Sequence, residues 1–152
     1  MSFLDRCQKV AILAFTIHTI SGCAGTPPTN LGVTNGLFTP CPSSPNCTNS
    51  QATDDHKIDP IWFSGNPRDA KQKLLNVLRS NEQANIVENS GMYIRAEFKS
   101  SLMGFVDDVE FLISDTYIET RSASRLGYSD MGANKKRVEA IRASLAGCCD
   151  KQ

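Results

Sequence analysis

The stretch Phe105-Val-Asp-Asp-Val-Glu-Phe-Leu-Ile-Ser-Asp-Thr-Tyr-Ile-Glu-Thr-Arg-Ser122 decides the fold. Apolar and polar side chains alternate along most of it, the period of a strand with one buried face. Ser114-Asp115 interrupts the alternation and reads as a two-residue hairpin turn. Pairing about that turn sets Ile113 opposite Thr116, Phe111 opposite Ile118 and Val109 opposite Thr120. One face then holds Val109, Phe111, Ile113, Ile118 and Thr120, with Asp107 and Ser122 at its far end; this is a core face. The other face holds Asp108 opposite Arg121, with Glu110 and Glu119 nearby, and can be solvated. A slip of one residue would exchange the faces and drive Phe111 into water, so the register is checkable.

Working outward, Asn85 to Glu88 and Met92 to Lys99 supply two further strand-like segments ahead of this hairpin. Before them a helix is expected. Asn66 can cap it, Pro67 suits the first helical position, and Asp69 sits near the positive end of the helix dipole. Ala70, Leu74, Val77 and Leu78 form one apolar stripe. A second helix near Asn134 to Ala146 closes the domain, with Val138, Ile141 and Leu145 on one side and Gly147 as its stop. The expected fold is α+β: a four-stranded antiparallel meander with two flanking helices packed on one face. Upstream, His56 to Phe63 looks extended and offers Ile58, Ile61, Trp62 and Phe63 for packing. No internal repeat is present.

The chain has 152 residues, with 16 basic and 16 acidic side chains, so its formal net charge is zero. That balance argues against nucleic acid as a partner. With 40% apolar and 21% charged residues, the composition suits one globular domain. No apolar run reaches the length of a bilayer-spanning helix.

The first residues read as an address. Arg6 and Lys9 precede the apolar run Val10 to Ile20, which has the length of a signal-peptide core. Ile20-Ser21-Gly22-Cys23 follows, small residues before a cysteine, the pattern of a bacterial lipobox. The expected organisation is a lipoprotein signal peptide over 1–22, a lipid anchor and flexible tether over 23–36, a single domain over 37–147 and a tail over 148–152. Acyl chains on Cys23 would hold the protein on a membrane. Removing residues 1–22 takes away Asp5, Arg6 and Lys9, leaving 14 basic and 15 acidic side chains. Ala24 stands where an aspartate would favour the inner membrane, which points to the outer membrane, facing the periplasm. The competing readings are an ordinary secretory signal, a plastid or other eukaryotic targeting segment, and a buried N-terminal helix.

In an oxidising compartment Cys41 and Cys47 are expected to form a disulfide. A metal reading adds His56 to the pair, at a spacing that matches no tight zinc pattern. A redox reading lacks the Cys-x-x-Cys spacing. Cys148 and Cys149 can pair with each other, bridge chains or remain thiols.

Three blocks make the chain recognisable: Gly104-Phe-Val-Asp-Asp-Val-Glu-Phe111, Arg121-Ser-Ala-Ser-Arg-Leu-Gly-Tyr-Ser-Asp130 and Asn134-Lys-Lys-Arg-Val-Glu-Ala-Ile-Arg142. They resemble the domain-of-unknown-function 1499 family, whose N-terminal signature Cys41-Pro-Ser-Ser-Pro-Asn-Cys47 is similar to. The resemblance covers about residues 31–146. It implies a fold and often an exported setting, with no established reaction and no catalytic residues to transfer.

The segment from Arg121 to Asp130 runs from a strand end toward a helix start, where backbone N–H groups favour anions. Asp107, Ser122, Ser124, Arg125, Tyr128, Ser129 and Asp130 are therefore expected to converge on one polar patch. One reading makes it a site for a small anionic or polyhydroxyl ligand. The other makes it an Asp–Arg and serine network that fixes the loop, with Ser129 or Asp130 capping the helix. The run Lys135-Lys136-Arg137 is a solvated face or a contact for anionic headgroups. No hydrolase, metalloprotease or phosphate-loop motif is present, and Asp107 and Asp108 point to opposite faces. No catalytic residue, metal or cofactor is expected. The sequence favours a membrane-anchored, non-catalytic binding or envelope-associated module. An enzyme using Asp107 with Arg125, or a structural partner within an envelope complex, are the rivals.

Overall fold

Helix α1 (Pro67–Arg79) starts where its capping residue dictates. The Asn66 side chain accepts a hydrogen bond from the Arg68 amide at 2.7 Å, and Pro67 occupies the first turn. In the computed structural model, which describes residues 24–147, α1 buries Ala70, Leu74, Leu75 and Leu78. Helix α2 (Ala133–Gly147) buries Val138, Ile141 and Leu145. Both helices pack on the same side chains of the sheet: Ile94, Ala96 and Phe98, with Val109, Phe111, Ile113 and Ile118. Removing Phe111 from this core would cost about 3–5 kcal/mol, the usual loss for a buried aromatic.

The sheet itself corrects the expected four-stranded meander. Four long strands are present: β5 (Ala84–Ser90), β6 (Tyr93–Lys99), β7 (Val106–Ile113) and β8 (Tyr117–Ser124). Two short ones join them, β3 (Cys47–Asn49) and β4 (Ile61–Trp62), making six. Both pair antiparallel with the outer edge of β8, end to end: Thr48 opposite Ser122, and Ile61 opposite Ile118. A separate two-stranded ribbon, β1 (Val33–Thr34) with β2 (Leu37–Phe38), brings the total to eight strands in two sheets. The fold is dominated by sheet. Strands of two or three residues carry no readable alternation, and these are placed by partners far away in sequence, which is why periodicity misses them.

The hairpin turn falls one residue later than expected. Ser114 donates its amide to the Tyr117 carbonyl at 2.8 Å, which puts Asp115-Thr116 in the loop. Ile113 now faces Ile118, Phe111 faces Thr120 and Val109 faces Ser122. The shift sets two branched aliphatic side chains opposite each other, with Ile61 on the far side of Ile118. Moving the turn by one residue changes each pairing by two, so every side chain keeps its face. Phe111 stays in the core.

The second face is buried, contrary to the expectation that it is solvated. Asp108, Glu110 and Arg121 all lie beneath other chain segments. Part of the cover comes from the stretch read as a tether. Gly32 donates its amide to Glu110 Oε1 at 2.6 Å, and Pro28, Asn30, Pro40 and Pro42 line a small cavity over Asp108 and Arg121. The β1–β2 turn uses Asn35 and Gly36, both at positive φ (52° and 80°), the pairing that matches the twist of a tight hairpin. The Cys41–Cys47 disulfide ties this covering segment to β3, with Cα atoms 5.7 Å apart. The expected signal peptide over 1–22, Cys23 and Cys148–Cys149 lie outside the described residues.

Because the bridge closes a loop of sequence separation 6, its removal should release modest chain entropy. Replacing both cysteines by alanine is expected to cost about 2 kcal/mol, measured as a lower urea midpoint at unchanged m. A loss within error of zero would mean the covering segment is held by its side chains alone.

Candidate functional site

The sheet divides the residues expected to form one patch into two groups. On the helix side, Asp107 lies opposite Ser124, and Ser122 opposite Val109. Asn134 and Arg137, from the first turns of α2, join them. Arg137 donates to Asp107 Oδ2 at 2.5 Å, to Asn134 Oδ1 at 2.7 Å and to Ser122 Oγ at 3.1 Å. Its guanidinium lies 4.9 Å from the Phe98 ring centre, within cation–π range. Ser122 donates to Asn134 Oδ1 at 2.6 Å. The Asn134 amide nitrogen donates to the Asn46 carbonyl, to Ser124 Oγ and to Asp130 Oδ2. Asp107, Ser122, Ser124 and Asp130 are thus brought together, around a fully buried asparagine.

Asp130 also accepts the Gly132 and Asn134 backbone amides at 2.9 and 2.8 Å, which caps α2. Burial raises the pKa of its carboxyl, but these amides and the Asn134 side chain outweigh that and hold it below the ordinary value. Ser129 accepts the Met131 amide at 3.3 Å and is exposed. Tyr128 points outward, 75% exposed.

Arg125 belongs to the opposite face. It grips Asp108 with two donors, Nε to Oδ2 at 2.7 Å and Nη2 to Oδ1 at 2.9 Å, and reaches Glu97 at 2.5 Å. Hydrogen bonding to Asp108, then to Glu97, raises the pKa of the guanidinium above its already high value, against the opposing effect of burial. Arg95 adds a third cationic contact to the same carboxylate at 3.3 Å. Two residues along β7, Glu110 is 0% exposed and accepts from Arg121, Tyr93 and Gly32. Burial and the adjacent Glu110 charge push the Tyr93 phenol well above its ordinary range.

Beside the helix-side cluster runs an open groove of about 920 Å³, between the C-terminal end of α1 and the N-terminal half of α2. Phe98 and Arg137 are among its lining, with Lys99, Lys136 and Glu82 contributing charge and Ser100 and Ser144 contributing hydroxyls. Arg137 is neutralised by Asp107. Lys99 and Lys136 are exposed and have no ion-pair partner among the described residues. A second cleft of about 460 Å³ lies beside α1 and β4 and takes in Trp62 and Phe63. Its Arg142 is held by Glu139 and by the Asp59 and Pro60 carbonyls. The larger groove is therefore the better seat for an anion, because its lysines are available. Among the described residues, no group of three or more His, Cys, Asp or Glu side chains is placed to hold a metal ion.

Sequence reasoning missed Asn46, Asn134, Glu82 and Lys99. For Asn134 a signal existed: it precedes Val138 by four residues and so shares the buried face of α2. Lys99 and Glu82 gave none, because the groove depends on how α1 crosses α2.

The described residues define a sheet-based α+β domain with a disulfide-tied cover and an open basic groove. A family model described as "Protein of unknown function (DUF1499)" matches residues 37–145. The chain belongs to that family. No curated protein and no solved structure matches it.

Two consequences are measurable. Arg125→Ala would leave Asp108, 1% exposed, without its main counter-charge, and is expected to destabilise by about 3–5 kcal/mol; a cost under about 1 kcal/mol would show the pair to be solvated. Asp130 has a depressed folded pKa, so its contribution is present above the unfolded value and fades as pH falls through the folded one. Asp130→Ala is expected to cost about 1 kcal/mol at pH 7 and progressively less as pH drops below about 4. A cost that does not change over that window would rule out the charged cap.

Proposed function

We propose that this protein is a lipid-anchored envelope lipoprotein, acylated on Cys23, whose domain binds a small anionic ligand in the groove between α1 and α2. The anchor is supported by the sequence: a basic start, an apolar core of signal-peptide length, and Ser21-Gly22 before Cys23. The disulfide agrees with an oxidising compartment. Ala24 favours the outer membrane, with the domain facing the periplasm.

One observation carries the binding reading. Lys99 and Lys136 flank a groove of about 920 Å³, unpaired, while the neighbouring Arg137 is bonded into the fold and stacked on Phe98. The lysines supply flexible charge, and the serines along the same walls can donate or accept. Among the described residues lining the groove, Glu82 is the one carboxylate and has no histidine or second acid beside it to complete an acid–base pair, and Asp107 beneath the groove is held by Arg137. These features favour binding over catalysis.

The test is native mass spectrometry on full-length protein extracted from the envelope of the cells that make it. The expected spectrum shows acyl mass on the Cys23 peptide and an anionic adduct present only under native conditions. Lys99→Ala/Lys136→Ala should lose the adduct and keep the acyl mass; Cys23→Ser should lose the acyl mass. An adduct that survives the double lysine change, or its absence from the wild type, would overturn the binding reading. Trp62, the single tryptophan, lies in the other cleft, so a ligand seated in the groove should leave its fluorescence unchanged.

A further inference from the structure

The described residues expose nine large apolar side chains, and six of them sit on two loops: Leu102, Met103 and Phe105 after β6, and Leu126, Tyr128 and Met131 after β8. The loops are neighbours at one end of the sheet. Lys99 pairs with Val106 and Asp107 with Ser124, and the Arg125 amide donates to the Val106 carbonyl at 3.2 Å. Leu102 and Met131 are more than nine-tenths exposed, the former at 92% and the latter at 91%. Met131 also adopts a positive φ of 54°, a conformation an L side chain takes at a cost. Clustered exposure of this kind marks a contact surface, whereas scattered apolar residues do not.

Two further observations identify what it meets. Gly25, two residues after Cys23, packs at this same end: a β-carbon on it would lie 3.0 Å from Arg125 Cβ and 3.2 Å from Leu126 Cγ, and its φ is +66°. Lys99, Lys135 and Lys136 border the loops, exposed and without ion-pair partners among the described residues. Of the acids nearby, Asp107 is held by Arg137 and Asp130 by the α2 amides, while Glu82 lines the groove without an ion pair to any of the three lysines. Apolar side chains ringed by lysines suit an anionic phospholipid surface, where the former enter the acyl boundary and the latter meet headgroups.

We propose that this end of the sheet is a bilayer seat: Leu102, Met103, Phe105, Leu126, Tyr128 and Met131 enter the interface of an anionic phospholipid membrane, and the domain stands on it. The inference rests on the anchored reading for its source of membrane, since the proposed lipid site, Cys23, precedes Gly25 by two residues in the sequence. It adds an orientation: Trp62, paired with β8 near its opposite end, points away from the lipid.

Tryptophan quenching tests it on the full-length chain. Three proteins are compared on vesicles of phosphatidylethanolamine and phosphatidylglycerol with brominated acyl chains: the native chain, Trp62→Phe/Leu102→Trp and Trp62→Phe/Met131→Trp. Both loop tryptophans should lose roughly half their emission, as expected of groups about 5–10 Å into the interface, and Trp62 should lose none. Unquenched loops on an acylated, vesicle-bound chain would overturn the seat and leave the anchor reading intact; quenching of Trp62 in their place would overturn the orientation. If the native chain carries no acyl group, loop quenching on added vesicles would uphold the seat and sink only the anchor; in Cys23→Ser, such quenching would uphold the seat. Neither acylation nor quenching would sink both.

Discussion

Two carboxylates that cannot reach water organise this molecule. Asp108 and Glu110 alternate with Asp107, Val109 and Phe111 along one strand, so burying the apolar face leaves them on the other. Each is nonetheless sealed from solvent, 1% and 0% exposed. An isolated ionised carboxylate in such a place costs many kcal/mol, so the sheet must deliver a cation to each. Arg125 and Arg95 meet Asp108; Arg121 meets Glu110, aided by the Tyr93 hydroxyl and the Gly32 amide. These pairs join β6, β7 and the end of β8 to the segment before β1. The Arg121-Ser-Ala-Ser-Arg125 block is explained by this demand. Its two arginines serve one face, and Ser122 and Ser124 serve the other.

The same alternation shows why the sequence revealed the core and concealed the cover. Phe111, Val109 and Ile118 declare their face by period and size, and no plausible register removes them from it. Placing the turn was harder, because Ser114-Asp115 and Asp115-Thr116 are both acceptable tight turns. The choice is made by tertiary pairing of Ile113 with Ile118 and of Ile118 with Ile61. The polar face was misread for a clear reason. Asp, Glu and Arg in alternation are the ordinary mark of a solvated surface, and only the returning chain from Pro28 to Pro42 excludes the water. That stretch has the composition of a tether, with too few apolar groups to announce a packed layer. Backbone groups such as the Gly32 amide hold it there, and backbone groups leave no trace in composition.

The polar patch was legible by residue type and illegible by side. Asp107, Ser122, Ser124 and Asp130 do gather, but around Asn134 and Arg137, which sit in a run that reads as solvated lysine and arginine. In that run Lys135 and Lys136 face out while Asn134 and Arg137 turn inward, a division set by the helical period once the start of α2 is known. Arg125 could not have been assigned to its face without the turn position. Tyr128 was read only as a member of the polar patch, and Leu102 and Met131 raised no signal, since isolated apolar residues in glycine-containing loops are common. Their grouping is a property of the fold.

That grouping follows from connectivity. In an antiparallel sheet the ends of β6 and β8 and the start of β7 must lie at one edge, and β3, running against β8, must begin there too. The chain therefore enters β3 from that end, and the disulfide fastens the preceding segment there through Cys41. Gly25 packs against Arg125 and Leu126, on the side of the domain where the apolar loops and unpaired lysines stand. The groove between α1 and α2 opens on the same side, because Lys99 ends β6 and Ala133 begins α2. Under the two proposals, orientation on a bilayer and ligand access are not independent choices: strand polarity puts the apolar loops and the mouth of the groove on one side, and a change of topology that moved one would move the other.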